Sequence, residues 1–418
     1  MAEPAAVATA DDADGHAGEA ARRLLLVAPT EYDASVAKGV ERLLHDFDEK
    51  GFFDKVEMVF PFTRHNRVLE LAPNLAIHEF GVPGPSVLRQ LLGPLHVLRV
   101  ILATARLARR PEIAVVRATD PCLSGLVALA AARLAGKPVC VSIHADFDKR
   151  HDLDAQSGAP RVLGSRALAI RIEQLVLRRA DMVLPIRPSL VPYAERRGAR
   201  PERVHVIPHG SDLSDFTSAA DPARLAGLDL PSGAKLVSFV GRLSRENYVD
   251  DVLEAARRLA GRYDDVIVAI AGGGGEEARL KTVVAQDPVL ARAVRFLGFL
   301  PRPVVAELRK ASAVALCPMG GFSLIEACAA GAPVIAYDAE WHRELVVDGE
   351  TGYLVPEGDA AGLADAVGRL LEDPEAARRM GQAARALAVA RHDLDVAVET
   401  KRRVYRRLIE GQARSAHG

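Results

Sequence analysis

The stretch Gly320–Val355, GGFSLIEACAAGAPVIAYDAEWHRELVVDGETGYLV, places the carboxylate of Glu326 just behind a Gly-rich turn. The spacing predicts a helix that this turn introduces and Gly331-Ala332-Pro333 ends, with the strand VIAY next and Glu326 in the first helical turn. Helix N-termini offer unpaired N–H groups and the positive end of a dipole, which suit phosphate. A nearby Glu can accept hydrogen bonds from sugar hydroxyls. One short segment thus offers donors for a diphosphate and an acceptor for a ribose, a pairing that fits a nucleotide-sugar. The plainer alternative is a helix–strand unit with a favourable first-turn acid.

A second candidate is Gly241-Arg242-Leu243, directly after the apolar run LVSFV. A glycine there lets backbone approach a ligand, and a guanidinium can grip phosphate oxygens in a fork; a turn glycine beside a surface arginine is the alternative. The densest polar cluster of the first half is SIHADFDKRHDL. His144 ends an apolar strand there, and Asp146 follows it as either an acceptor-orienting carboxylate or a helix N-cap. The pair also has a metal-ligand look, but two ligands without a third do not make a site. Asp120, in ATDPCLSG, stands at another strand end, where Asp-Pro is equally an ordinary turn signal. The four glycines Gly272–Gly275 look like a phosphate loop, but their place between AIA and EEARLK favours a strand-to-helix turn. No GxGxxG stands in phase with a later acid, so a dinucleotide fingerprint is absent.

These residues need sheets to present them. LLLVAP, VEMVFPF, IAVVRA, VCVSIH, MVLPI and VHVIP read as strands of a first half, with helices at about Val36–Asp48 and Cys122–Ala135. From Lys235 a second alternation begins: KLVSFVG, VIVAIAG, VRFLGF, AVALCP, VIAY and GYLVP, separated by helices such as Asp251–Arg262 and Ala360–Leu371. Apolar strands alternating with amphipathic helices predict parallel sheets covered on both faces. The fold class expected is α/β, with two Rossmann-like doubly wound domains facing across a cleft. The expected boundaries are a disordered tail over 1–21, an N-terminal domain over 22–210 and a linker over 211–233. A C-terminal domain over 234–395 and a helix over 396–418 follow, the helix either packing back on the first domain or lying in solvent.

The formal net charge of −1 argues against a nucleic-acid partner. Cys122, Cys140, Cys317 and Cys328 form no CxxC pair, so neither a disulfide framework nor a zinc site is indicated, and a reducing cytoplasm fits. The N-terminal residues lack the cationic start and apolar core of a signal peptide. No uninterrupted apolar run reaches the roughly 20 residues of a spanning helix. Ser86–Arg110 and Ser165–Arg179 are basic amphipathic stretches that could lie on anionic lipid, at the inner face of a membrane, or pack on the sheet instead.

GRLSRENYVDDVLEA, AIAGGGGEEARLK, RFLGFLPRPVVAELRKASAVALCP and the Gly320–Val355 stretch occur in that order. Together they resemble the C-terminal half of a retaining glycosyltransferase of GT-B fold and family 4 type. IPHGSDLSDF resembles that family's IPNGVD element, and the first half matches more loosely. The resemblance implies transfer of a sugar from a nucleoside-diphosphate sugar to a hydroxyl of a glycan, lipid-linked or small-molecule acceptor, in polysaccharide or glycoconjugate synthesis, with no cofactor or metal. It implies that Gly241 and Arg242 meet the donor diphosphate and that Glu326 binds the ribose hydroxyls. Phe322, Ser323 and Leu324 would meet sugar and phosphate through backbone N–H groups, and the loop ending at Leu300 the base. His144 would lie near the transferred sugar, and His144, Arg242 and Glu326 form the expected catalytic set. Glu344 and Gly352 match an element where packing is as plausible as contact. Glu31, Tyr32, Lys38, Asp120 and Asp146 are the acceptor-side candidates.

Two positions depart from the family pattern. Asn247 stands where a second phosphate-binding Lys is usual, with Arg245 as a nearby substitute. Pro318 stands eight positions before Glu326, where a first Glu is often found. These departures support an alternative, a catalytically silent binding or scaffold subunit.

Overall fold

A computed structural model describes residues 21–37, 41–81, 86–147 and 165–417. The chain divides into two compact units: 1–185, 190–205 and 401–418 form the first, and 186–189 with 206–400 form the second.

In the N-terminal unit β1 (Arg23–Val27), β2 (Lys55–Thr63), β3 (Arg67–Ala72), β4 (Leu75–Gly81), β5 (Ile113–Ala118), β6 (Val139–Ile143) and β7 (Met182–Pro185) form one sheet. Its order is β3-β4-β2-β1-β5-β6-β7, and only the β3–β4 pair is antiparallel among the paired strands described. The helices are α1 (Tyr32–Ala37), α2 (Ser86–Ala108), α3 (Leu123–Ala135), α4 (Arg166–Arg179) and α5 (Val191–Arg196). Strands β1, β5 and β6 are buried almost throughout, because a parallel sheet is covered on both faces. The β3–β4 hairpin falls outside the strands expected from the sequence. Its edge strand RVLELA is only half-buried, so no apolar run marks it.

In the C-terminal unit β8 (Lys235–Val240), β9 (Val266–Ala271), β10 (Val294–Gly298), β11 (Val314–Cys317), β12 (Val334–Tyr337) and β13 (Gly352–Val355) form a parallel sheet of order β10-β9-β8-β11-β12-β13. Around it run α6 (Ser214–Thr217), α7 (Val249–Ala260), α8 (Glu277–Gln286), α9 (Pro288–Ala293), α10 (Arg302–Lys310), α11 (Phe322–Ala329), α12 (Ala360–Glu372) and α13 (Pro374–His392). Apolar spacing explains α7: Val249, Val252, Leu253, Ala256 and Leu259 face one core with Val268 and Ile270 of β9. The order reverses at β8, whose neighbours are β9 on one side and β11 on the other. Loops beyond the C-terminal ends of β8 and β11 therefore meet at a topological switch point, the usual ligand position of such sheets.

Several expectations need correction. The helix expected over Val36–Asp48 is α1, ending at Ala37, and a 3₁₀ run over Glu41–Asp48. VHVIP is no strand; only Val204 forms a single bridge, to Val183. Ser211–Gly233, expected as a linker, is folded into the C-terminal unit, where Phe216 on α6 is fully buried. The run Pro374–Glu410, whose composition predicts continuous helix, breaks at Asp393, whose extended backbone separates α13 from α14 (Leu394–His417).

From residue 401 onward α14 belongs to the N-terminal unit. The Arg117 guanidinium of β5, itself buried, donates through Nη1 to Tyr405 Oη at 2.6 Å and through Nε to Ser142 Oγ at 3.0 Å. Buried Glu49 lies 3.6 Å from Arg117 Nη1 and 3.0 Å from Lys401 Nζ. Arg402 donates to the Glu49 carbonyl, which helps hold Glu49 and Lys50 at φ of 52° and 55°.

Candidate functional site

The switch point of the C-terminal sheet assembles from three loops. The first leaves β8. Gly241 N–H donates to Ala271 O at 3.0 Å and Leu243 N–H to Gly273 O at 3.0 Å, so this loop lies along the turn after β9. A Cβ on Gly272, at φ +128°, would stand 1.9 Å from Gly241 O, and one on Gly274 2.3 Å from Leu243 O. Those glycines serve close backbone packing between two loops, as a strand-to-helix turn requires.

Arg242 projects from this loop as an exposed side chain. Arg245 is also exposed, its Nε 3.7 Å from Glu276 Oε2. Asn247 Nδ2 donates to the Arg242 carbonyl at 2.8 Å. The amide thus braces the loop that carries Arg242.

The second loop joins β11 to α11. A Cβ on Gly320 would meet Leu324 Cβ at 2.5 Å, so only glycine lets this loop close onto the helix. Gly320 N–H donates to Nε2 of the buried His342 at 3.1 Å, and His342 Nδ1 lies 2.7 Å from Tyr337 O. Together these contacts fit the tautomer with its proton on Nδ1. His342 escaped the sequence reading; its signal is a histidine in the WHRE turn just beyond VIAY.

Helix α11 begins at Phe322, whose half-exposed ring lies 5.8 Å from that of His209. Ser323 Oγ donates to Val240 O at 2.5 Å, which ties the first turn of α11 to the end of β8. Leu324 is fully buried, so its side chain serves the core, and its N–H donates to Gly321 O at 3.2 Å, which takes up the donor expected to meet sugar or phosphate. Glu326 is the fifth residue of α11, not a first-turn acid, because the helix starts at Phe322. It stands one turn inside, largely buried, with Arg302 Nε 3.6 Å from its Oε1. Burial pushes the Glu326 carboxyl above the usual carboxylate range, opposed by the charges of Arg309 and Arg302.

The third loop follows β10. Phe299 is 90% exposed at its tip, and Leu300 packs partly against the core formed by Leu236, Ile267 and Leu308. Of the flanking pair, a Cβ on Gly352 would stand 2.2 Å from Val334 O, and Glu344 Oε1 accepts from Ser189 N at 2.8 Å. Both serve packing.

The N-terminal unit lines the same kind of edge. Glu31 and Tyr32 follow β1, Asp120 follows β5, and His144 with Asp146 follows β6, three adjacent strands. Glu31 Oε1 accepts from Arg64 N at 3.3 Å, and Tyr32 N donates to Glu79 Oε1 at 2.9 Å. Asp120 Oδ1 accepts from Cys122 N at 2.8 Å, an Asx turn that begins α3. His144 is half-buried, and Asp146 Oδ2 lies 3.5 Å from Arg196 Nη2. Lys38 lies outside the described residues. Ligand-type atoms of Glu31, Asp33 and His65 lie within 4.8 Å of one another, but Arg67 Nη2 already donates to Asp33 at 2.7 Å. An ion-pair cluster accounts for that group.

Residues 224–387 match the family model of glycosyl transferases group 1, and residues 36–210 that of the glycosyl transferase 4-like domain. A phosphatidyl-myo-inositol mannosyltransferase of Mycobacterium leprae is 37% identical over 205 residues, 48% of this chain and 52% of the relative. An alpha-D-kanosaminyltransferase of Streptomyces kanamyceticus is 29% identical, over 66% of this chain and 72% of the relative. The chain thus spans between about half and seven-tenths of these two curated relatives. Among solved structures, sucrose-phosphate synthase of Thermosynechococcus elongatus superposes with a TM-score of 0.68 at 23% identity, covering 93% of this chain and all of the other. Anabaena HepE in complex with UDP gives 0.65 at 20% identity, covering 91% and 98%. At such identity the likeness is one of fold. With two parallel-sheet α/β units, each half matched by a glycosyltransferase family model, this chain belongs to the group 1 glycosyltransferases of GT-B fold.

Proposed function

We propose that this chain is a retaining glycosyltransferase that takes a sugar from a nucleoside-diphosphate donor held by its C-terminal unit. One observation supports the reading: the Ser323–Val240 hydrogen bond ties the first turn of α11, ahead of Glu326, to the end of β8, two residues before Arg242, at the β8/β11 switch point. The leaving diphosphate develops the charge of the transition state. Arg242 and the N–H groups of Phe322 and Ser323 at the start of α11 take up that charge, and fixed donors do so without reorganisation. Glu326 accepts hydrogen bonds from the ribose hydroxyls. The acceptor hydroxyl attacks on the face the diphosphate leaves, and a leaving-group oxygen takes its proton.

The acceptor is a glycan, a lipid-linked sugar or a small molecule. The mannosyltransferase relative, named for a phosphoinositide, supports a lipid-linked acceptor in glycoconjugate synthesis. No helix among the described residues is long and apolar enough to cross a membrane. On α2, however, Leu95, Leu98 and Leu102 stand exposed at one-face spacing beside Arg99 and Arg106, which suits peripheral contact with the cytoplasmic face of an anionic bilayer.

Thermal shift with UDP-, GDP- and ADP-sugars and the free diphosphates, with and without magnesium, tests the reading. A true donor raises the melting temperature with its occupancy. A rise with one base, equal in both conditions, names the donor base. No rise with any of them favours the silent binding subunit.

A further inference from the structure

Arg309 of α10 heads the fully buried side chains of the described residues by size, at 0% exposure. Its Nη2 donates to Ser323 Oγ at 2.7 Å, and Ser323 passes its own proton to Val240 O at 2.5 Å. This chain joins three elements: α10, the first turn of α11 and the last residue of β8. The guanidinium charge also opposes the rise that burial imposes on the Cys317 thiol. Its Nε has no hydrogen-bond partner among the described residues.

A buried charge so thinly paired needs a reason, because an apolar residue of similar volume avoids the desolvation penalty. Its counter-charge is the Glu326 carboxylate, which Arg302 also approaches. Arg302 and Arg309 stand seven residues apart, on one side of α10. Arg302 has acids of its own, with Asp215 Oδ2 at 3.5 Å and Asp212 Oδ2 at 3.9 Å. Arg309 thus stays a buried cation whose Nη2 is hydrogen-bonded into the first turn of α11.

We propose that Arg309 is a positioning residue for the diphosphate of a bound nucleotide. Acting through Ser323, it locks the α11 N-terminus to the β8 loop before ligand arrives, and its charge adds to the field there. The inference rests on the donor-site reading above and gives a role to Arg309, a residue the sequence analysis did not single out. It also accounts for a site with Asn247 in place of a second surface cation, since the second cation comes from inside the unit.

Calorimetric titration of wild type, Arg309→Met, Ser323→Ala and the double variant with UDP, GDP, ADP and pyrophosphate tests this. Each single variant should weaken whichever nucleoside diphosphate binds wild type by roughly tenfold, the scale of one charge-assisted hydrogen bond. The double variant should lose little more, because both changes cut one chain. Affinity for the matching nucleoside, which lacks phosphates, should stay within about twofold, whereas general damage would lower both. Folded single variants that bind the diphosphate as wild type does overturn the proposal, as does an equal loss for the nucleoside. Should Arg309→Met fail to fold, Ser323→Ala decides alone, since it leaves the core in place. A wild-type chain that binds none of the probes overturns the donor-site reading, and this inference with it.

Discussion

Arg117 in the N-terminal unit and Arg309 in the C-terminal unit are both buried guanidiniums, at 3% and 0% exposure, in very different company. Arg117 has Tyr405 Oη, Ser142 Oγ and the carboxylate of Glu49 around it, and Lys401 shares that carboxylate. Arg309 has the Ser323 hydroxyl and the Glu326 carboxylate, whose charge it shares with Arg302. The first pattern is a latch that fixes α14 to the N-terminal sheet. The second ties a buried cation to the first turn of α11. Burial alone therefore does not mark an arginine as functional; what the guanidinium is bonded to distinguishes the two.

The sharpest break of this comparison is Arg117→Met. It strips Glu49 of a counter-charge inside the core and should cost about 3 kcal/mol by chemical denaturation. Nucleotide affinity of the folded fraction should not change; a loss of affinity at equal stability would erase the distinction. Next in size is Arg242→Ala. It should lower kcat/KM for the donor by about 100-fold, while the unfolding free energy moves by less than ~0.5 kcal/mol, as for an exposed residue.

Glu326→Gln should weaken donor binding about tenfold, by removing a charged acceptor of the ribose hydroxyls. Its pH dependence carries a sign that can be checked. Burial raises the Glu326 carboxyl, so its protonated form is favoured in the fold. That contribution is complete below the unfolded pKa and lost as pH rises through the folded one, so wild type should lose stability relative to the Gln variant across that window. Donor affinity runs the other way: it should fall as pH drops and the carboxylate is protonated, and the Gln variant should lack this fall. Titrations of both proteins from pH 7 downward measure it. Smallest is Asn247→Ala, which removes one exposed bond to the Arg242 carbonyl and should cost about 0.5 kcal/mol. A larger loss of donor affinity than of stability would make Asn247 a ligand contact instead of a brace.

Much of the C-terminal unit was legible because its strands are continuous apolar runs such as VIVAIA and its turns carry glycine. The β3–β4 hairpin was not, since its edge strand buries only part of each face and shows no such run. The bend at Asp393 was hidden for another reason: propensity continues through it, and α14 takes its place by packing Tyr405 against Arg117. In the site, Gly241, Arg242 and Glu326 stand in local motifs and could be read from them. Glu326 was nonetheless placed one turn too early, because a capless Gly-Gly entry does not reveal where the helix starts.

By itself the sequence determined the alternation of strand and helix, the two halves, the glycines that loops need and the candidates within short motifs. These follow from periodicity and backbone conformation, which are local. Only the tertiary structure decided that Arg309 lies beneath Ser323, that His342 holds Gly320 and that Asn247 turns back onto the Arg242 carbonyl. Each of those roles depends on which side chains the sheet order brings together, and on what a buried charge is bonded to once they have met.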